Sequence, residues 1–494
     1  MKLIIKNLGP IKNNTQSIDL SKDFFVFVGR NNSGKSYVAQ LLWAIFNQDI
    51  INKFTVENLD IIDNQIVEGV NIEITAKLLD NILHKYSNFL QQEAQKEIFN
   101  IGKNSEIFNN IAIAFDYQIS ELQAQEIKII ITLKTEQENT LEYVEIKKNK
   151  GELRYRFEKK ELSENIKKII HPTILDSSLR LHKKSILIST IIATMLKHQH
   201  ETFFLPASRI FFPTFYRYIY EVDRKQREQD IKKIVNFLEN QGNKGKIELS
   251  NFEELEVLKR KYTEPMNQVF EKLFSLNLEE NIETSYINLV EQLQEIIGGE
   301  IQPISLKGIS PIEFYFQINS IDEPLPMYLA SSSVNQLTLI YLYLKYWASE
   351  KDNFLMIDEP EVNLHPENQI KLLNILIQFI QSQTGNKVLI TTHSSILANA
   401  INNNIYLDVL KNQHGVDVEK IIEDNQLKYV DSSVSIAKEK VGVYFFTGDK
   451  IIDYESSDYG IYFRNFREVE NNLDKSLRIL TDYIYRQEDK VEDE

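Results

Sequence analysis

The 494-residue chain contains no cysteine. It therefore forms no disulfide, holds no zinc through thiolates and has no cysteine nucleophile, which is typical of a reducing compartment. Glycine and proline are few, at 16 and 11, which favours helices over flexible linkers. The longest strongly apolar run, Ser185–Leu196, is shorter than the roughly 20 residues of a membrane-spanning helix. The opening Met1–Lys6 is too brief for a signal peptide, so we expect a cytoplasmic protein without membrane contact.

A strong positive charge is also absent. The formal net charge is −15, which opposes broad, nonspecific binding of nucleic acid, because such binding depends on neutralising phosphates. Three local basic segments remain, Arg180–Lys184, Arg217–Lys233 and Lys259–Lys261. Each is either a solvated helix face or part of a path for DNA. Contact with DNA therefore stays an open expectation.

The length and the patterning predict an α/β protein of two to four structural units. The run at 24–28 is wholly apolar and predicts a buried parallel strand, followed by a helix at 37–46. Helical spacing continues from 76 to 113, and alternating segments from 114 to 157 predict an antiparallel sheet. Helices return at 162–199, and the last residues, Gln487–Glu494, read as a disordered acidic tail.

The strongest motif is Gly29–Ser36, which reads GRNNSGKS and fits the pattern G-x-x-x-x-G-K-S. Its glycines allow the backbone amides to face the phosphates of a nucleotide. Lys35 reaches the β- and γ-phosphates, and the Ser36 hydroxyl is a ligand for Mg²⁺. A plain strand-to-helix turn is the alternative, but the motif lies between an apolar strand and an amphipathic helix, as phosphate binding requires.

A second motif is the apolar segment 354–357, which ends in the adjacent acids Asp358 and Glu359. A buried strand explains the apolar residues but not two carboxylates at its carboxyl end, where open α/β sheets bind ligands. Asp358 is expected to hold Mg²⁺, and Glu359 to deprotonate the attacking water. The alternative is an acidic turn at the end of a strand.

A third candidate is His393, which follows the predicted strand at 387–391. A lone histidine after a strand is commonly a turn or capping residue. At a third position on the same sheet edge, however, a neutral imidazole would lie beside the γ-phosphate and sense it. We therefore predict a functional role for His393.

These motifs, in this order, resemble the ABC-class ATPase heads of the RecF, SMC and OLD type. The resemblance is nearest to the AAA-family ATPases of bacterial anti-phage defence operons. Ser331–Ser333 stands at the place of the family's signature, although serines replace its usual glycines, and Asn363–Pro366 resembles the D-loop. The stretches Asn7–Ile11 and Leu205–Arg209 are also similar to this group. No glutamine can be assigned to a Q-loop.

The resemblance implies a P-loop NTPase fold of the ABC type: a mixed sheet flanked by helices, an antiparallel β subdomain and a large helical insertion. It also implies ATP and Mg²⁺ as cofactors, with two heads that sandwich the nucleotide in a homodimer or higher oligomer. The implied catalytic residues are Lys35, Glu359 and His393, and the implied Mg²⁺ ligands are Ser36 and Asp358. The implied nucleotide-binding residues are Gly29, Arg30, Asn31, Asn32, Ser33, Gly34, Lys35, Ser36 and Tyr37, with Ser331, Ser332 and Ser333 from a second copy.

The expected organisation alternates parts of the ATPase head with additional segments. It comprises the first half of the head (1–78), a helical segment (79–112), an antiparallel β region (113–160), helices and a strand that return to the head (161–212), a helical insertion or arm (213–297), the second half of the head (298–400) and a C-terminal extension (401–494).

Three functions are compatible with these features. The resemblance favours a nucleotide-switched sensor or scaffold in an anti-phage defence complex that controls a separate effector protein. The scattered acids Asp449, Asp453 and Asp458 lack the arrangement that a metal-dependent nuclease needs, so the effector is expected on another chain. The alternatives are a RecF- or SMC-like ATPase of DNA repair or chromosome maintenance, and a transporter motor, which the helical insertion and the lack of a membrane-facing segment disfavour.

Overall fold

The computed structural model describes residues 1–62, 71–101, 108, 110–134, 140–159, 172–197, 201–219, 222, 262–276, 278, 284–304, 312–454, 456–457 and 459–492. Some predictions lie partly or wholly outside these residues. Residues 223–261, in the middle of the expected insertion, are outside the described part, and with them lie most of the basic segment Arg217–Lys233 and all of Lys259–Lys261. Residues 162–171, the beginning of the helix expected at 162–199, are outside it as well.

The described residues form strands that we number along the chain: β1 (Lys2–Lys6), β2 (Ser17–Asp19), β3 (Phe24–Gly29), β4 (Asn71–Glu73), β5 (Ala112–Asp116), β6 (Ile127–Lys134), β7 (Thr140–Lys148), β8 (Arg154–Lys159), β9 (Thr202–Leu205), β10 (Gly299–Ile304), β11 (Glu313–Ile318), β12 (Leu325–Pro326), β13 (Phe354–Asp358), β14 (Lys387–Thr392), β15 (Val441–Phe446) and β16 (Ile451–Asp453). The α-helices are α1 (Lys35–Phe46), α2 (Gln48–Glu57), α3 (Ala76–Glu93), α4 (Ile119–Gln123), α5 (Pro172–Leu196), α6 (Glu264–Phe274), α7 (Ile287–Ile297), α8 (Ser332–Leu342), α9 (Pro366–Ser382), α10 (Ser395–Asp408), α11 (Val418–Asp424) and α12 (Arg464–Glu492). None of the helices in the described part of the chain is long and apolar enough to cross a membrane.

A six-stranded sheet lies at the centre, in the order β16-β15-β3-β14-β13-β9. All neighbouring pairs are parallel except β15 and β16. β3, β13 and β14 are buried along their whole length, as expected for parallel strands covered on both faces. Their carboxyl ends share one edge, because Asp358 pairs with Thr391 and Thr392 pairs with Val28.

Helices cover both faces of this sheet, and the side chains of β3 pack against the helices on each face. Phe25 and Phe27 pack into a core with α1, α3 and α5, whereas Phe24, Val26 and Val28 pack into a second core with α7, α8 and α9. Successive side chains of a strand point to opposite faces. An uninterrupted apolar strand therefore contributes to two cores at once. The predicted α/β fold, a mixed sheet flanked by helices, is confirmed.

Smaller antiparallel sheets surround the centre, in the orders β2-β1-β5, β10-β11-β12 and β4-β8-β7-β6. The last contains the antiparallel segments predicted between 114 and 157. The prediction of helix from 76 to 113 is wrong at 99–101 and at its end, because α3 and a following π-turn end at Ile98 and Ala112 and Ile113 belong to β5, which pairs with β1. Along β5 only Ile113 is fully buried between exposed neighbours, which is strand alternation rather than helical spacing.

The expected insertion at 213–297 also includes residues that belong to the head. Helices α6 and α7 belong to the head, since Val269, Leu273 and Leu293 lie in its second core. Trp43 donates from Nε1 to the Gln268 side chain at 2.9 Å, and Gln268 donates to the carbonyl of Thr202 at 3.0 Å. The amphipathic pattern of these helices is correct, but it does not say which surface their apolar sides contact.

The expected boundary at residue 400, between the head and a C-terminal extension, is also misplaced. Strand β15 lies beside β3 in the central sheet, with Val441 opposite Phe24 and Phe446 opposite Gly29. The C-terminal region therefore completes the sheet rather than following it. The predicted acidic tail at 487–494 is wrong over 487–492, because α12 extends to Glu492. That stretch contains neither glycine nor proline, so its charge does not interrupt the helix.

Candidate functional site

The loop between β3 and α1 exposes backbone amides at the start of a helix. Gly34 occupies the N-cap of α1 with φ 98° and ψ 3°, and no side chain caps the helix. The first amides of α1 are therefore available to an external acceptor, and the helix dipole favours an anion there. Asn32 also has a positive φ, of 58°, a conformation that asparagine tolerates better than most residues. The local backbone is that of an anion-binding turn.

Lys35 projects from the first turn of α1 into this loop. Only 5% of the residue is exposed, and Nζ donates to the carbonyls of Gly29 and Arg30 at 3.2 and 3.0 Å. Nζ also lies 2.9 Å from Nε2 of His393. Burial lowers the pKa of Lys35, an effect that the carboxylates of Asp358 and Glu359 oppose. The sheet edge thus holds a buried lysine at the mouth of the loop.

The second residue of α1 connects the loop to the end of β13. Ser36 donates from Oγ to both carboxylate oxygens of Asp358, at 3.0 and 2.8 Å, and Thr391 donates to Oδ1 of the same carboxylate. Burial raises the pKa of Asp358, while the two hydroxyls favour its charged form. This oxygen-only pair suits Mg²⁺, which prefers oxygen ligands and keeps several waters.

Glu359 follows Asp358 in a strained conformation. Its φ is +49°, a left-handed value that costs a residue other than glycine about 1–3 kcal/mol. Its amide donates to both the carbonyl and the hydroxyl of Thr391 at 3.1 Å. Its Oε1 lies 3.5 Å from Nε2 of His393. Contact with His393, together with the charges of Lys35 and Arg209, holds the pKa of Glu359 below its ordinary value.

His393 is the point where the lysine and the glutamate meet. One ring nitrogen cannot accept from Lys35 and donate to Glu359 at once. Nε2 lies 2.9 Å from Nζ of Lys35 and 3.5 Å from Oε1 of Glu359, and the tautomer of the ring sets which of the two contacts is a hydrogen bond, since an ammonium group only donates and a carboxylate only accepts. The histidine loop is fixed by Glu361, whose Oε1 accepts from the amide of His393 at 2.7 Å and from the Thr392 hydroxyl at 2.8 Å.

A cavity of about 890 Å³ lies over these groups, within the range of small-molecule sites. Of the predicted residues, Asn31–Tyr37 line it together with Glu359 and His393. Gly29 and Arg30 do not line it but contact Lys35 through their carbonyls, and the buried Asp358 contacts Ser36. The cavity wall also includes Gly9 and Pro10, from the stretch Asn7–Ile11 that resembles the family, and the following Lys12.

The signature serines are placed elsewhere. Ser331 caps α8, accepting from the amide of Val334 at 3.3 Å, and its Oγ lies 2.8 Å from that of Ser333. Ser331 and Ser332 are exposed, and none of the three serines lines the cavity of their own chain. The chain therefore brings together every predicted site residue except Ser331–Ser333.

Sequence reasoning assigned no role to two residues of this region. Arg209 is fully buried and donates to the carbonyls of Asp358 and Glu359. Glu361 holds the histidine loop, and burial raises its pKa. The only signals in the sequence were the resemblance of Leu205–Arg209 to the family and the position of Glu361 two residues after Glu359.

The parallel sheet, the Gly-rich turn into α1 and the acids at the end of the adjoining strands define a P-loop NTPase fold. The chain belongs to the AAA ATPase domain family, whose sequence profile matches residues 1–398. A search of curated proteins finds no match.

Among solved structures, the chain is similar to heads of SMC proteins. An SMC head bound to the C-winged helix domain of ScpA shares 14% identity at TM-score 0.31, covering 81% of this chain and 91% of that one. A Pyrococcus furiosus SMC head with an extended coiled coil, bound to the C-terminal domain of ScpA, shares 14% identity at TM-score 0.32, covering 97% and 98%. The SMC head domain of Thermotoga maritima shares 12% at TM-score 0.26, covering 92% and 98%. Because these TM-scores are low, the assignment of the P-loop NTPase fold rests on the strand order of the central sheet and on the family match.

Gly34 provides a test of the loop geometry. A Cβ at this position would meet the Ile11 side chain at 3.0 Å and would require a left-handed backbone at φ 98°. Gly34→Ala is therefore expected to lower stability by about 1–2 kcal/mol and to displace the amides, weakening ATP binding about tenfold for each 1.4 kcal/mol of lost interaction. Calorimetric titration with ATP and thermal unfolding would measure both effects.

The matched control is Gly151→Ala. Gly151 has a similar φ of 86° in a turn outside the site, where a Cβ would meet nothing within 4 Å. This variant is expected to lose similar stability and to bind ATP like the parent chain. Equal ATP affinities in the two variants would argue against the loop as the phosphate site.

Proposed function

We propose that the chain binds ATP with Mg²⁺ at Gly29–Ser36 and hydrolyses it to ADP and phosphate. The observation that carries the proposal is the meeting of Lys35, Glu359 and His393 over the loop, with Ser36 and Asp358 in contact beside them. Family membership supports the same activity.

The residues divide the reaction between them. The amides at the start of α1 and Lys35 hold the phosphates, and Ser36 and Asp358 would hold Mg²⁺, which neutralises phosphate charge when bound. Water attacks the γ-phosphorus, the bond to the β–γ bridging oxygen breaks, and Glu359 takes the proton of the attacking water. A glutamate held in its charged form by His393 and Lys35 suits this role. His393 lies where it would contact the γ-phosphate.

Phosphate release by the purified chain tests this activity. Release that requires Mg²⁺ is expected, because Ser36 and Asp358 form an oxygen pair suited to that ion. No release at any Mg²⁺ concentration would overturn the proposal of hydrolysis.

We further propose that a second copy completes the site. Ser331–Ser333 lies at the N-terminus of α8, outside the cavity of its own chain, with Ser331 and Ser332 exposed. A helix N-terminus presents free amides and a partial positive charge, which suits a γ-phosphate carried by a second head. ATP would then hold two heads together, and hydrolysis would release them.

Ser331→Arg tests the shared site. A long side chain at the helix end is expected to prevent ATP-dependent pairing of heads while each head still binds ATP, and loss of the cap is expected to cost about 1 kcal/mol. Light scattering of Glu359→Gln chains with ATP would measure the pairing.

Thr75→Arg is the control, because Thr75 caps α3 with a similar bond to the amide of Leu78 at 3.2 Å. It is expected to lose comparable stability and to pair normally. Pairing that survives Ser331→Arg would exclude Ser331 from the interface.

At the level of the cell we propose a nucleotide-switched sensor or scaffold, in the cytoplasm, that controls a separate effector in an anti-phage defence complex. This step rests on family resemblance alone. The alternative is an ATPase of DNA repair or chromosome maintenance, which rests on the resemblance of the same motifs to heads of the RecF and SMC type. ATP-dependent DNA binding with a steep salt dependence would favour the alternative, whereas co-purification of a nuclease and no DNA binding would favour the first.

A further inference from the structure

Arg209 is buried at the junction of three elements of the head. It follows β9, the edge strand that pairs with β13, and lies in the 3₁₀ turn Ala207–Phe211. Its exposed fraction is 0%, and within the described part of the chain it makes no ion pair. A buried charge of this kind is costly unless its hydrogen bonds are satisfied. The acceptors of its hydrogen bonds therefore indicate the role of Arg209.

All five N–H donors of this guanidinium have an acceptor. Nε donates to the carbonyl of Gln336 at 3.2 Å, and Nη1 donates to the carbonyls of Pro206 at 3.2 Å and Asp358 at 2.6 Å. Nη2 donates to the carbonyl of Glu359 at 3.0 Å. With its amide oxygen turned toward the guanidinium, the Gln336 side chain accepts from Nη2 at 2.7 Å. Five donors in one plane are the property that separates arginine from lysine.

Two of these acceptors flank the strained residue of the site. The carbonyls of Asp358 and Glu359 belong to the peptide groups on either side of the Glu359 Cα, whose φ is +49°. Thr391 holds the amide of Glu359 from the opposite side. Strained conformations persist only where surrounding contacts over-determine them. Arg209 and Thr391 together supply those contacts, and they set the direction in which the Glu359 side chain leaves the backbone.

The remaining bonds reach α8, the helix that begins at the signature serines. Gln336 lies on that helix with an exposed fraction of 0%, and it meets the guanidinium through both its backbone and its side chain. A shift of α8 would therefore be passed to the peptide groups of Glu359 through the planar guanidinium group of Arg209.

We propose that Arg209 is the positioning residue of Glu359. It holds the Glu359 peptide groups in the conformation that hydrolysis requires and ties them to α8. The inference rests on the proposed ATP hydrolysis. Arg209 contacts neither the loop nor the cavity, so it acts on turnover and not on nucleotide binding.

Arg209→Lys is the test, because lysine keeps the charge but has three donors on a flexible stem. We expect kcat to fall about 100-fold, the scale of a misplaced catalytic group, while KM for ATP and the affinity for a non-hydrolysable ATP analogue stay unchanged. Arg156→Lys is the matched control, since Arg156 pairs with Glu152 at 3.0 Å in the β4-β8-β7-β6 sheet, and it is expected to keep both constants.

The outcomes distinguish failure of the proposed hydrolysis from failure of the proposed role of Arg209. No hydrolysis by the parent chain would overturn the proposed function and this inference with it. Hydrolysis by the parent chain with an unchanged kcat in Arg209→Lys would overturn the inference alone, even if that variant melts earlier, because a purely structural role predicts lower stability with normal turnover.

A second variant covers the case in which Arg209→Lys does not fold. Gln336→Met preserves the volume of the side chain but removes the acceptor of Nη2. It is expected to lower kcat with an unchanged KM, by less than Arg209→Lys would. Full turnover in Gln336→Met, with Arg209→Lys unfolded, would overturn the inference.

Discussion

Replacing Lys35 with methionine is expected to weaken the binding of ATP by about 100-fold or more. Methionine retains the apolar stem but loses the charge and the donors. A hydrogen bond to a charged group contributes about 1.5–3 kcal/mol, and each 1.4 kcal/mol corresponds to a factor of ten. More than one such bond to the β- and γ-phosphates accounts for the expected loss. Titration with a fluorescent ATP analogue would measure it.

Lys387→Met is the matched control for this variant. Lys387 is also a buried lysine of the central sheet, 2% exposed, and it pairs with Asp23 at 3.5 Å and donates to the carbonyl of Lys22 at 2.8 Å. It lies at the beginning of β14, at the end of the strand away from the site. We expect lower stability and normal ATP binding. An unchanged affinity in Lys35→Met would remove the claim that the loop binds phosphate.

Replacing Glu359 with glutamine is expected to leave ATP binding intact and to lower steady-state turnover by about 10²–10⁴-fold, the usual contribution of a general base. The amide has the size of the carboxylate, so the backbone contacts with Thr391 and Arg209 remain. The ability to take a proton from water is lost, together with the negative charge that faces His393 and Lys35. The altered chain should also accumulate as paired heads with ATP, because hydrolysis no longer releases them.

Glu152→Gln is the control for Glu359→Gln. Glu152 is a partly exposed carboxylate paired with Arg156, away from the cavity. Its loss is expected to leave turnover unchanged, since exposed ion pairs contribute little. Normal turnover in Glu359→Gln would refute Glu359 as the base, whatever the effect of Lys35→Met.

Much of the fold follows from local pattern. The apolar runs of β3 and β13 identify buried strands, because only strands covered on both faces need such residues throughout. Long-range placement does not follow in the same way. Nothing in Val441–Phe446 states that this strand lies beside β3, more than four hundred residues earlier. The amphipathic sequences of α6 and α7 predict helices but do not show that these helices pack on the head, for the same reason.

The candidate site divides in a similar way. Lys35, Ser36, Asp358 and Glu359 could be predicted because each follows a strand or begins a helix at a fixed spacing. Arg209 could not be assigned, since it acts through backbone carbonyls of residues 127 to 150 positions away. Backbone acceptors leave no trace in the sequence of the residues that supply them. Only the fold reveals such a contact.

The contacts of Arg209 also suggest how pairing of two heads would be coupled to ATP hydrolysis. Glu359 is held between Thr391 on one side and Arg209 on the other, and Arg209 also holds α8 through Gln336. The helix that would face a second head is therefore joined to Glu359, the base that would take the proton of the attacking water. Binding of a second copy at α8 would therefore change the rate of ATP hydrolysis through the hydrogen bonds of Arg209.

The most direct test of the central claim, that Lys35 and Glu359 belong to one site of ATP hydrolysis, is the fate of ATP bound to the chain in a single turnover. Radiolabelled ATP would be mixed with an excess of each chain, quenched with acid and resolved into ATP and ADP. The parent chain is expected to convert its bound ATP, Glu359→Gln to retain it uncleaved, and Lys35→Met, with its weakened binding, to leave most of the ATP unbound and uncleaved. Cleavage of bound ATP by Glu359→Gln at the rate of the parent chain would contradict the claim.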